Sequence, residues 1–147
     1  MALTRLPYWD TRFLHSYLLA HANDPFKWGS HDCCLFAANA IQSFTNVDIA
    51  SDFRGKYTTQ LGALKLVKSV TSTGITPQDA VAYCAKKNDM AAYAYPLQAQ
   101  RGDLVVITNG PDIIGGIVDI NGRHVISVSA TGLVRLPITK IVRAWKV

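Results

Sequence analysis

At 147 residues, with 49% apolar and 17% charged residues, the chain reads as one folded domain over residues 1–147 rather than a disordered segment. Its formal net charge is +5, but the basic residues are scattered and never exceed two in a row. That pattern describes a solvated surface and makes nucleic acid an unexpected partner. All 10 acidic residues are aspartates, which excludes mechanisms that need a long-armed glutamate.

No apolar run approaches the roughly 20 residues of a membrane span. The opening stretch Met1-Ala2-Leu3-Thr4-Arg5-Leu6-Pro7 lacks the apolar core of a secretory leader, so folding in a cytoplasm is expected. Cys33, Cys34 and Cys84 are a poor disulfide framework because two of the three are adjacent, and reduced thiols are expected. No Cys/His spacing suits zinc, and neither a metal nor a cofactor is expected.

Residues 9–22 read as a first helix, stopped ahead of Asp24-Pro25. A second helix begins at Cys33 and runs to about residue 44, with Cys33, Phe36, Ala37, Ala40, Ile41 and Phe44 on one apolar face. An irregular connection with a turn at Gly55 leads to a third helix over 59–69, presenting Leu61, Leu64 and Val67. Thr76-Pro77-Gln78-Asp79 has a capping residue, a first-turn proline and a third-position acid, which is how a fourth helix starts. Ala80, Val81 and Cys84 share one face of it, placing Cys84 in the core.

After Pro96 the texture changes to short β runs at 104–108, 113–120, 124–129, 133–136 and 138–146. Asn121-Gly122 is a hairpin signal and Thr131-Gly132 a second turn, while Pro137 interrupts the last pair. Helices followed by an antiparallel meander make an α+β domain.

Chemistry concentrates at Pro25-Phe26-Lys27-Trp28-Gly29-Ser30-His31-Asp32-Cys33-Cys34. A thiol at a helix start meets unpaired amides and the positive end of the helix dipole, which favour thiolate. The plain alternative is that a cysteine on an apolar helix face is small core filler.

Trp28-Gly29 and Asp32-Cys33, followed by a helix of small residues, resemble the nucleophile segment of NlpC-type cell-wall cysteine peptidases, a papain-like superfamily. Gln100-Arg101-Gly102-Asp103-Leu104-Val105-Val106 is similar to that fold's entry into its first core strand. Residues 116–118, 125–129 and 132–135 resemble the hairpin and strand that follow, so the likeness spans about residues 20–147. The run from Pro25 to Cys33, Asp52-Phe53-Arg54-Gly55-Lys56-Tyr57 and the closing Arg143-Ala144-Trp145-Lys146-Val147 resemble a short branch found among phage tail genes.

The resemblance implies N-terminal helices packed on a C-terminal antiparallel sheet, with Cys33 as nucleophile. It also requires an imidazole within hydrogen-bond reach and a polar group to orient it. The strand that would supply the imidazole reads Asp112-Ile113-Ile114-Gly115-Gly116-Ile117-Val118, and its histidine slot falls on Ile114, or on Gly115 with a register slip. The orienting slot falls near Ser127. His124 and His31 are the substitutes, although alternation puts His124 on the strand face opposite Ser127. His15 and His21 read as surface residues of the first helix.

Three functions follow as expectations. The first is a structural or assembly protein of a phage or prophage tail tip or baseplate, without hydrolysis, contacting other tail proteins in the virion. The second is a cysteine peptidase cutting peptidoglycan stem peptides, with Cys33 as nucleophile, His124 or His31 as base and Ser127 as orienter. The third is a wall-binding module that keeps the cleft without cleaving. The decisive local feature is the surroundings of the Cys33 sulfur, an imidazole or a wall of Ile, Val and Phe.

Overall fold

A computed structural model describes residues 3–147; Met1 and Ala2, which open the N-terminal stretch considered above, lie outside the described residues. The fold is α+β, with four helices ahead of a five-stranded antiparallel sheet. A π-helical turn, Trp9–Leu14, runs directly into α1, His15–Ala20. The other helices are α2 (Cys33–Thr45), α3 (Gln60–Thr71) and α4 (Pro77–Lys87).

Helix α2 is the centre of the molecule. Asp32, in extended conformation, caps it by accepting a bond from the Leu35 amide at 3.0 Å, and Asn46 ends it in the left-handed region. The expected apolar stripe is buried, but so are Leu35 and Ala38. A helix covered on more than one flank keeps only a narrow polar face, here Asn39, Gln42 and Ser43, and α2 is packed by the sheet, the π-helical turn and α4. Helix α4 carries the anticipated Thr76–Asp79 capping box with Pro77 in its first turn, and Cys84 is buried. Helix α3 is held mainly by α4, and Val67 alone among its residues is fully buried. Leu61, expected on its inward face, instead stands 61% exposed.

The strands are β1 (Leu104–Asn109), β2 (Asp112–Val118), β3 (His124–Ser129), β4 (Gly132–Pro137) and β5 (Ile141–Trp145). Their order is β4-β3-β2-β1-β5, so the first four form the expected meander while β5 returns to pair with β1. A short 3-10 turn, Ile138–Lys140, follows Pro137 and takes up the start of the run read as strand from residue 138. One sheet face, with Leu104, Val106, Ile117, Ile126 and Val128, meets the helices. The other gathers Val105, Ile107, Val118, Val125, Ile141 and Ala144.

Asp103 explains the Gly-Asp-Leu sequence in structural terms. Its fully buried carboxylate accepts from Arg5 at 2.9 Å, Tyr93 at 2.6 Å, and the Gln100 and Val147 amides at 2.8 and 3.1 Å. Arg5 also lies 4.1 Å over the Trp9 ring. One buried ion pair thereby ties the start of β1 to both ends of the described chain. Among the described residues, no helix is long and apolar enough to cross a membrane.

Candidate functional site

The loop before α2 is fixed by its own backbone. Lys27 and His31 exchange backbone bonds of 3.2 and 2.9 Å, and the Phe26 amide reaches the Ser129 carbonyl at 3.0 Å, fastening the loop to the end of β3. Gly29 is required here: its φ is +82°, and a Cβ would lie 2.0 Å from the Tyr57 carbonyl oxygen. Its amide donates to Asp32 at 3.1 Å. The Tyr57 hydroxyl donates to the same carboxylate. Asp32 therefore sits buried with two backbone amides and a phenol around it and, among the described residues, no cationic side chain bonded to it. Burial first, and the adjacent Asp32 charge second, push the Tyr57 hydroxyl far above its ordinary range, so it remains a donor.

Cys33 opens α2 against the sheet, in a cluster with Phe36, Ile126 and Val128, flanked by Ile114 and Phe26. Its sulfur lies 3.9 Å from that of Cys34. A hydrogen bond from the Cys34 thiol draws the Cys33 thiol below its usual range; burial opposes this, the Gly115 backbone assists it, and the Asp32 carboxylate opposes it. Cys34, serving as the donor and itself desolvated, is raised. The charged side-chain neighbour of this thiol is thus an anion rather than an imidazolium.

The strand positions that meet this cysteine carry no base. A Cβ built on Gly115 would point at the start of α2, 3.5 Å from the Cys33 carbonyl oxygen and 3.6 Å from the Cys34 Cα. Gly115 is therefore the strand position that looks onto the cysteine pair, and Ile114 packs beside it. Ser127 does not join the thiol. Its Oγ donates 2.7 Å to the Gly115 carbonyl, and its strand neighbours Ile126 and Val128 are the residues facing Cys33. The orientation expected for β3 is thus reversed: the His124 face of the strand, rather than the Ser127 face, meets the cysteine. His124 nevertheless stands at the hairpin end of that face, where its Nδ1 pairs with Asn121 Nδ2 at 2.9 Å.

His31 is near in sequence but turned elsewhere. Its ring meets Phe36 edge-on at 5.9 Å, putting it beside a residue of the Cys33 cluster, and its Nε2 is buried without a hydrogen-bond partner. Burial is the main reason its pKa is lowered. It lines a polar groove of about 600 Å³ with His21, Asp24, Asn39 and Gln42. His21, read as a plain surface residue, is half-buried there: it bonds Asp24 at 2.6 Å and stacks on Tyr17 at 4.4 Å. His15 is exposed. Among the described residues, no imidazole nitrogen is hydrogen-bonded to the Cys33 sulfur, and no group of three metal-ligating side chains converges.

The domain family described as "Domain of unknown function (DUF6950)" matches residues 4–147, nearly the whole chain. The chain belongs to that family. No curated protein and no solved structure matches it.

Two parts of this DUF6950 chain's site were missed in its sequence. Tyr57, the partner of Asp32, lies 25 positions away in an irregular segment, where a conspicuous Arg-Gly-Lys-Tyr run was the available signal. The second is an apolar hollow of about 140 Å³ on the outer flank of the cysteines, between α2, α3 and α4. Its walls come from separate helices, so no local pattern announces it.

Proposed function

We propose that this chain is a structural or assembly component of a phage or prophage tail tip or baseplate, built on a degenerate NlpC-type, papain-like fold, and that it does not hydrolyse peptidoglycan. The carrying observation is the emptiness of the base position: Gly115 faces the cysteine pair, and Ile114, Ile126, Val128 and Phe36 surround Cys33. A thiol without an imidazole has no acid for the leaving amine, and loss of a triad member costs orders of magnitude in rate. The α+β order of helices before an antiparallel sheet agrees with the expected architecture. Other tail proteins are the partners in this reading, and the virion tail is the location.

One observation favours the alternative, a cysteine peptidase acting on stem peptides. The Cys33 thiol is drawn below its ordinary range at a helix start. That route needs a base brought to Gly115 by another chain.

Immunogold labelling of particles from the phage or prophage that carries the gene tests the proposal, with label expected at one end of the tail. Absence of the protein from purified particles and from tail-assembly intermediates overturns it. A Cys33→Ala genome is expected to yield particles of undiminished infectivity, and a large loss favours the peptidase.

A further inference from the structure

The hollow beside the cysteines has the properties of a ligand site, and this inference stands independently of the tail reading. It measures about 140 Å³ and is walled by carbon and sulfur from three helices, including Cys34, Ala38, Ala63, Leu64, Val67 and Val81. An apolar cavity of roughly 150 Å³ stays dry and accepts a benzene-sized molecule.

The polar groups on its wall offer a charged ligand little: Gln60, exposed at the start of α3, supplies an amide and no charge. Asp32 is already committed to Tyr57, Gly29 and Leu35, and the Cys34 thiol faces the Pro77 carbonyl at 3.9 Å. A charged ligand would be desolvated without compensation. Sulfur at the wall instead favours a ring, because thiol and thioether sulfur make attractive contacts with aromatic edges. Entry needs no unfolding of the core. Trp28, at 37% exposure, and Ile75, at 47%, lie along the hollow on its solvent side. The wall at α3 belongs to the helix with the fewest buried residues among α2, α3 and α4, so it can yield to a ring slightly larger than the void.

We propose that this hollow is a binding site for one uncharged aromatic ring of about benzene to toluene size, seated against the Cys33–Cys34 pair under helix α3.

The full chain titrated with benzene, and separately with benzoate, tests this. Benzene at ten times its Kd is expected to raise Tm by about 3–5 °C, and benzoate is expected to leave it unchanged. Backbone amide NMR shifts should centre on Cys34, Ala63, Val67 and Val81, leaving Val125 and Ile141 on the other sheet face unmoved. Ala63→Leu, which pushes a larger side chain into the hollow, should abolish the benzene response. Any of four results overturns the proposal: no benzene shift in the wild type, an equal shift with benzoate, an undiminished shift in Ala63→Leu, or NMR changes centred elsewhere. The mapping on the wild-type chain decides the matter even where the variant does not fold.

Discussion

The two halves of the site where a cysteine hydrolase would work have been built to different standards. The helix half, from Trp28 to Cys34, is fully assembled: Gly29 lies against the Tyr57 carbonyl, Asp32 caps α2, and Tyr57 completes the carboxylate's shell. The strand half, Ile114 to Gly116 with Ser127, holds side chains that close a core and none that move a proton. Gly29 and Asp32 on the helix half each have a structural role that does not involve the thiol. The glycine and aspartate of this segment fold the loop whether or not the thiol reacts.

The sharpest way to break that comparison is to separate scaffold from thiol on the helix half. Gly29→Ala places a Cβ on a carbonyl at positive φ and should destabilise the fold by about 3–4 kcal/mol in denaturant unfolding. Asp32→Ala removes the cap and strands the half-buried Tyr57 hydroxyl, for about 3 kcal/mol. Cys33→Ala should cost only about 1 kcal/mol, since it deletes one small buried group. A Cys33 variant as damaging as Asp32→Ala would mean that the thiol does more than fill space.

On the strand half, the adjacent glycines should behave differently. Gly116→Ala drives a Cβ to 2.7 Å from Val125 and 2.8 Å from the Ile126 carbonyl oxygen, for about 2 kcal/mol. Gly115→Ala meets its nearest atoms at 3.5 Å and should stay within about 1 kcal/mol of wild type. Equal effects at the two positions would contradict the packing of α2 on β2 described here.

The remaining prediction, at Cys84, is read against pH. Burial raises Cys84 to about 12, from 9.0 when unfolded. Between those values the unfolded chain has lost a proton that the folded chain keeps, so stability is complete below pH 9 and falls as pH rises toward 12. The steepest contribution from one group is about 1.4 kcal/mol per pH unit. Cys84→Val should flatten that limb in thermal melts, and a limb unchanged in Cys84→Val would contradict the burial of this thiol.

Much of this architecture could be read from local pattern. The apolar stripe of α2, the Thr76–Asp79 cap and the Asn121-Gly122 hairpin are signals carried by a few neighbouring residues, and each lies where it was expected. Long-range pairings were not legible. Tyr57 reaching Asp32, Arg5 reaching Asp103 and β5 returning to β1 join residues 25 to 98 positions apart or cross the sheet, and no periodicity encodes them. The facing of β3 was misread for the same reason: alternation gives two faces but does not say which one meets a distant helix. Ile114 and Gly115 both lie by the cysteine pair: Ile114 packs on the Cys33 cluster, and a Cβ at Gly115 would stand 3.5 Å from the Cys33 carbonyl.

Release of soluble peptide fragments from purified peptidoglycan, by wild type and Cys33→Ala at equal concentration, tests the central claim most directly. With no base at the strand half, neither protein should release fragments above the buffer level. Release by the wild type that disappears in Cys33→Ala would contradict it.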